Sequence, residues 1–88
     1  MRIMPSTKLI PITVHDRSGV VFAGEVRGIS AYNARGLFDV LPVHANFISV
    51  LRKKLVLHKV DGSKQEIHLD SGVIQVLLNK AVVFVGIK

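Results

Sequence analysis

Leu55-Val56-Leu57-His58-Lys59-Val60 runs into Asp61-Gly62, and beyond it Glu66-Ile67-His68-Leu69-Asp70 alternates polar with apolar residues. Apolar, strand-like runs on both sides of an Asp-Gly pair make the pattern of a β-hairpin. A type I′ turn is the expected closure, because that turn wants positive φ at both central positions. Ile67 and Leu69 would face a core and Glu66, His68 and Asp70 would face water, since successive strand residues point to opposite sides of a sheet.

Working outward, the same signals recur. Toward the N-terminus, Phe47–Leu51 is an apolar run closed by the basic cluster Arg52-Lys53-Lys54, and Leu37–Leu41 is another stopped by Pro42. Asn33-Ala34-Arg35-Gly36 reads as a loop in which the glycine takes positive φ. Gly24 punctuates the run before Glu25–Tyr32, and His15-Asp16-Arg17-Ser18-Gly19 is turn chemistry. Ile10, Ile12 and Val14 alternate with Pro11 and Thr13, and Pro11, which cannot donate to a ladder, suits an edge. Toward the C-terminus, Ser71-Gly72 breaks the strand and Val73–Leu78 follows. After a turn at Asn79-Lys80, Ala81–Val85 is continuously apolar, as in a strand at the centre of a sheet.

Short strands with turn signals at this spacing predict an all-β domain, a small two-sheet sandwich of about eight to ten mostly antiparallel strands. No window carries a helical stripe. The 88 residues make one domain, with residues 1–7 as an N-terminal tail and 8–88 as the sandwich. So short a chain buries a small core, and with no cysteine it gains nothing from disulfides or thiolate metal sites. Apolar residues make up 49% and mean hydropathy is +0.42, which points to exposed apolar surface that needs a partner. A net charge of +6 suits an acidic partner, nucleic acid or an anionic surface.

Signs of chemistry are few. The six carboxylates are scattered, and His15, His44, His58 and His68 lack metal-ligand spacing. His68, Asp70 and Ser71 invite a nucleophile reading, but His68 and Asp70 share one strand face with Ser71 beyond it; a solvated face and a turn account for them. No phosphate-binding glycine loop is present. The expectation is no catalytic residue, no metal, no cofactor and no small-molecule substrate. Arg52, Lys53, Lys54, Lys59 and Lys64 gather around one hairpin, so a basic small-β module for single-stranded nucleic acid is an alternative. Its weakness is that most of the five aromatics fall inside apolar runs.

The segment Gly36-Leu37-Phe38-Asp39-Val40-Leu41-Pro42-Val43-His44-Ala45-Asn46-Phe47 resembles the signature of F-type ATP synthase epsilon subunits, the delta subunits of mitochondria. Val21-Phe22-Ala23-Gly24-Glu25-Val26 is similar to the family's Val-Phe-x-Gly-Glu-Val. Asp70-Ser71-Gly72-Val73-Ile74-Gln75-Val76 is similar to its Ser-Gly-Gly-Phe-Leu-Glu-Val, and Lys80–Val85 to its last strand. The resemblance covers about residues 9–88 and implies the N-terminal β-sandwich domain of a non-catalytic central-stalk subunit. It implies a protein that binds the gamma subunit and the membrane c-ring and couples ion translocation to ATP synthesis. Location would be peripheral, on the cytoplasmic side of the cell membrane, with membrane contact only through the complex.

By position, the resemblance assigns Val14, Asp16, His44, Ala45 and Ile48 to the gamma interface, with Ile48 rather than Phe47 facing outward. It assigns Arg35, Gly36 and Leu37 to the c-ring interface. The chain departs from the family at this second place: acidic residues are usual beside the glycine where Arg35 and Leu37 stand, and a second glycine where Asp39 stands. Arg52-Lys53-Lys54 replaces a common Lys-Pro-Gly. Family members commonly continue into two C-terminal helices. The sequence given ends at Lys88, so the expectation is no helical hairpin, no helix-mediated inhibition and no ATP site. A diverged epsilon-like domain serving another assembly is a further alternative.

Overall fold

β1 (Ile10–Asp16) buries Ile10, Ile12 and Val14 and turns Thr13 and His15 away from the core, the alternation of a strand resting on one hydrophobic layer. The computed structural model describes residues 8–42 and 46–86. Five more strands follow: β2 (Gly19–Asn33), β3 (Gly36–Val40), β4 (Phe47–Lys59), β5 (Lys64–Leu77) and β6 (Lys80–Val85). Among the described residues there is no helix. Among the described residues the chain is all-β with six strands, not the eight to ten that the turn signals suggested.

The difference has a physical cause. Gly24, Arg52-Lys53-Lys54 and Ser71-Gly72 read as breaks, yet β2, β4 and β5 run through them. Two of these sites sit at one irregularity: Leu51 pairs with Gly72 and Lys53 with Leu69, so Asp70 and Ser71 together oppose Arg52. A bulge of this kind bends a strand and flips its facing. In β5 the buried positions change from Leu69 to Ile74 and Val76, odd to even. In β2, Arg27 is the extra residue between Val26, paired with Lys59, and Gly28, paired with His58. Burial there passes from Val26 to Ile29 and Ala31. Each long strand thereby belongs to both layers of the sandwich.

The pairings define those layers. One contains β3, the second half of β2, the second half of β4 and the first half of β5. The other contains the first half of β4, the second half of β5, β6, β1 and the first half of β2. All pairs are antiparallel except β1 with β6. β1 is therefore interior, not the edge that Pro11 suggested. Pro11 is tolerated because the ladder to β6 starts one residue later, at Ile12↔Ala81.

Between the layers lies a wholly apolar core that includes Ile10, Val26, Ile29, Leu51, Leu55, Leu57, Ile74 and Val83, each 0% exposed. Burying each such side chain contributes roughly 1.5–3 kcal/mol. Gly72 lets the layers meet at the corner. A Cβ there would stand 2.5 Å from the Phe84 carbonyl oxygen and 3.3 Å from Val85 Cα, both backbone atoms that cannot step aside.

The turns also depart from expectation. At Asp61-Gly62 only Gly62 has positive φ, 91°, and the loop closes through Gly62 N to Lys59 O and Lys59 N to Ser63 O. That is a loop with a glycine bulge, not a type I′ turn. The turn with positive φ at both central residues joins β5 to β6: Leu78 at 51° and Asn79 at 61°.

Candidate interaction surface

Period two decides what each layer shows to solvent. On the layer holding β6, the outward residues fall into cross-strand rows. One row runs Val50, Val73, Phe84, His15, Val20, and the next Ile48, Gln75, Val82, Thr13, Ala23. Ile48 and Val50 are each 68% exposed, and Val20, Leu77 and Phe84 are about half exposed. His15 lies flat on Phe84, ring centroids 4.9 Å apart and planes 18° from parallel, so its imidazole extends the apolar row. Leu78, 83% exposed, projects from the adjoining turn. The result is a nearly uncharged, apolar sheet face open to water.

The opposite outer face is mostly polar, with Leu37 and Leu41, 61% and 60% exposed, on the same side as Asp39. Glu66 sits between Lys54, at 3.4 Å, and His68, at 3.5 Å. The Ser30 hydroxyl donates to Asp39 Oδ1 at 2.7 Å, which leaves His58 Nε2–H to donate to Ser30 Oγ at 2.8 Å. Serine, histidine and aspartate thus meet, but in an order unsuited to nucleophilic catalysis. The hydroxyl proton points at the carboxylate, and the imidazole is a donor to the oxygen it would have to deprotonate. This constellation was invisible in the sequence, because its members lie on β2, β3 and β4. Among the described residues no group of three or more His, Cys, Asp or Glu could hold a metal ion.

The residues singled out from the sequence fall in different places. Val14 is 0% exposed and packs in the core, so its side chain is not on the surface; the outward positions of that strand are Thr13 and His15, one residue to either side. Asp16 ends β1, and its Oδ1 accepts from Ser18 N at 2.7 Å and Gly19 N at 3.2 Å, closing the turn to β2. His44 and Ala45 lie outside the described residues. The chain returns at Asn46, whose Oδ1 accepts from Leu78 N at 2.8 Å and ties the start of β4 to the β5–β6 turn. Ile48 faces outward, while Phe47 packs against the core and meets Phe38 edge-on at 6.1 Å.

Arg35, Gly36 and Leu37 form the tip of the β2–β3 hairpin. Asn33 Oδ1 accepts from Arg35 N at 2.8 Å, and Gly36 takes φ of 116°, where a side chain would be strained. Leu37 is 61% exposed. The tip adjoins the apolar face: Arg35 and Ile48 line one groove of about 470 Å³ with Asn33, Phe38, Asp39, Phe47 and Ser49. Phe22, Phe38 and Phe47 pack against the core. Tyr32 carries Lys53 Nζ 5.6 Å from its ring centroid. A row of free stacking aromatics beside the basic residues, which the nucleic-acid reading needed, does not form among the described residues.

The missed feature is the breadth of the apolar face. Its signal was present: Ala81–Val85 is apolar at outward and inward positions alike, as in a strand covered on both sides. Nothing in this chain's described residues covers the outer side.

Known proteins agree with this architecture. Residues 10–86 match the family model described as ATP synthase, Delta/Epsilon chain, beta-sandwich domain. The chain is 31% identical over 70 residues to the ATP synthase epsilon chain of a Sulfurovum species, covering 78% of this chain and 55% of that one. It is 32% identical over 68 residues to the epsilon chain of a Nitratiruptor species, covering 76% and 53%. The chain thus spans about half the length of these curated relatives. Two solved chains share the fold. One, from the Euglena gracilis mitochondrial ATP synthase OSCP/F1/c-ring structure, has a TM-score of 0.82 at 17% identity, with 96% of this chain and 53% of that one covered. The other, from the Tetrahymena thermophila mitochondrial ATP synthase central stalk/c-ring structure, has 0.72 at 13%, with 89% and 63% covered. The strands, the ordered motifs and these matches coincide, and the chain belongs to the ATP synthase delta/epsilon chain β-sandwich family.

Proposed function

We propose that this chain serves as the sandwich part of a non-catalytic central-stalk subunit of a rotary ATP synthase. It docks on the gamma subunit through its apolar outer face and on the c-ring through the β2–β3 hairpin tip, linking ion flow to ATP synthesis from the cytoplasmic side of the membrane. The observation that carries the reading is the bare face of Ile48, Val50, Val73, Phe84 and the stacked His15. Contiguous apolar surface of this kind marks a protein–protein contact. Asp16 stands at its margin, and Asn46, the residue after Ala45 in sequence, is tied to the β5–β6 turn beside it.

The test is capture of the cognate gamma subunit by the purified chain. Ile48→Glu and Phe84→Glu each place a charge in the centre of the contact and should weaken capture at least tenfold, because a buried unpaired charge costs several kcal/mol. Both positions are exposed in the free chain, so its own melting temperature should stay nearly unchanged. A wild-type chain that ignores gamma refutes the proposal.

A further inference from the structure

The β2–β3 hairpin end carries a second feature. Arg35 at the hairpin tip and Arg52 and Lys53 at the β4 bulge line one concavity of about 290 Å³, floored by Gly36, Asn33 and Tyr32. All three cationic residues are exposed, and among its lining residues there is no carboxylate. Lys53 has a φ of 71°, unusual for a residue other than glycine and especially within a strand. The bulge re-aims its side chain over the Tyr32 ring at 5.6 Å, which holds the ammonium at the rim of the concavity. Asp39, on the same hairpin, accepts from the Ser30 hydroxyl and lines the adjoining groove with Arg35 rather than this concavity. Gly36 has no heavy atom within 4 Å of where its Cβ would be, so a partner backbone can approach closely.

We infer that this end of the molecule receives a carboxylate-bearing loop of a protein partner, with Arg35 and Arg52 pairing the carboxylates and Lys53 adding a third positive charge. Guanidinium groups suit planar carboxylates because they can donate two parallel hydrogen bonds. Bare like charges gathered at one end select an oppositely charged partner and repel a basic one. If the hairpin faces the c-ring as proposed above, the partner loop is the ring's, and this tip selects a ring whose loop offers carboxylates. Only that identification of the partner rests on the stalk reading; the chemistry of the concavity stands without it.

The experiment is an NMR titration of the isotope-labelled chain with a short, end-blocked peptide containing adjacent Glu and Asp residues between glycines. Inorganic phosphate and phosphatidylcholine/phosphatidylglycerol vesicles are titrated in parallel. The peptide should shift amides confined to Asn33–Leu37 and Arg52–Lys53, with affinity falling as salt rises. Arg35→Glu combined with Arg52→Glu should weaken it at least tenfold. Lys64→Glu with Lys80→Glu, which removes the same charge outside the concavity, should leave the hairpin-end shifts in place. Absence of shifts at these amides overturns the inference, as do equal losses in both double variants. Phosphate or vesicles producing the same shifts at lower concentration would also overturn it, assigning the site to a phosphate group. Gamma capture by the Phe84→Glu variant reads the stalk proposal separately, since that substitution leaves Arg35, Arg52 and Lys53 in place.

Discussion

The two outer faces of this sandwich share β2, β4 and β5 yet are chemically different. On one, Glu66 holds Lys54 and His68, and Ser30 joins Asp39 to His58, so polar side chains satisfy one another in place. On the other, Ile48, Val50 and Phe84 face water, and His15 is stacked flat on the ring beside it. A sheet with one solvated face is expected to alternate apolar inward and polar outward. The first face follows that rule except at Leu37 and Leu41, and the second breaks it along whole rows. An isolated domain gains nothing from exposing aliphatic side chains, which is why the second face is the one proposed to dock on a partner.

The largest effect on this comparison should come from the corner that both faces share. Gly72→Ala drives a methyl into the Phe84 carbonyl, and the crowding should cost about 3 kcal/mol, within the range for overpacking. That is a sizeable part of the roughly 4–13 kcal/mol available to a domain this size. A denaturant melt should show a clear loss, with both faces failing together. A variant as stable as the parent would mean that the layers do not meet as described.

Leu78 sharpens the contrast, because strain and exposure coincide there. It holds φ at 51° in the β5–β6 turn with 83% of its surface free, next to the apolar face. A branched side chain in left-handed backbone costs about 1 kcal/mol. Leu78→Gly should therefore raise the chain's stability by about that amount while lowering capture of gamma. Opposite signs from one substitution separate a docking role from a folding role; a loss of both would assign Leu78 to the fold alone.

The smallest effect belongs to the β4–β5 turn at the end of the polar face. The Ser63 hydroxyl, foremost, and the Ser63 backbone N–H both hydrogen-bond to Asp61 Oδ1 and hold its carboxyl below its ordinary value of 3.8. A carboxyl lowered in the folded state adds stability above its unfolded pKa, and that stability is lost as pH falls through the folded value. Ser63→Ala should raise the Asp61 pKa toward 3.8 in an NMR titration and leave stability at neutral pH nearly unchanged. An unmoved pKa would show that the backbone donor alone holds it.

These contrasts also mark how far the chain's residues could be read in order. Strand character was legible almost everywhere, because period-two alternation is local. Bends were not told from ends. Ser71-Gly72 and Arg52-Lys53-Lys54 have turn composition, but whether a turn-like residue stops a strand or bulges it depends on the opposing strand. Facing was legible where it could be counted from one strand, as for Ile48 against Phe47. At Val14 the alternation places the side chain inward and His15 outward, whereas its interface role came only by position from the resemblance.

By itself, then, the sequence determined an all-β chain, a single hydrophobic layer between strands, and membership of the delta/epsilon β-sandwich family through motifs kept in order along the chain. Only the tertiary structure decided that three long strands pass between two sheets, that one outer face is bare, and that Arg35 lies beside Arg52 and Lys53 at one end. The physical reason is range. Alternation and turn chemistry act between neighbours a few residues apart, whereas a surface and its charge come from cross-strand register, which is settled only when distant segments pair.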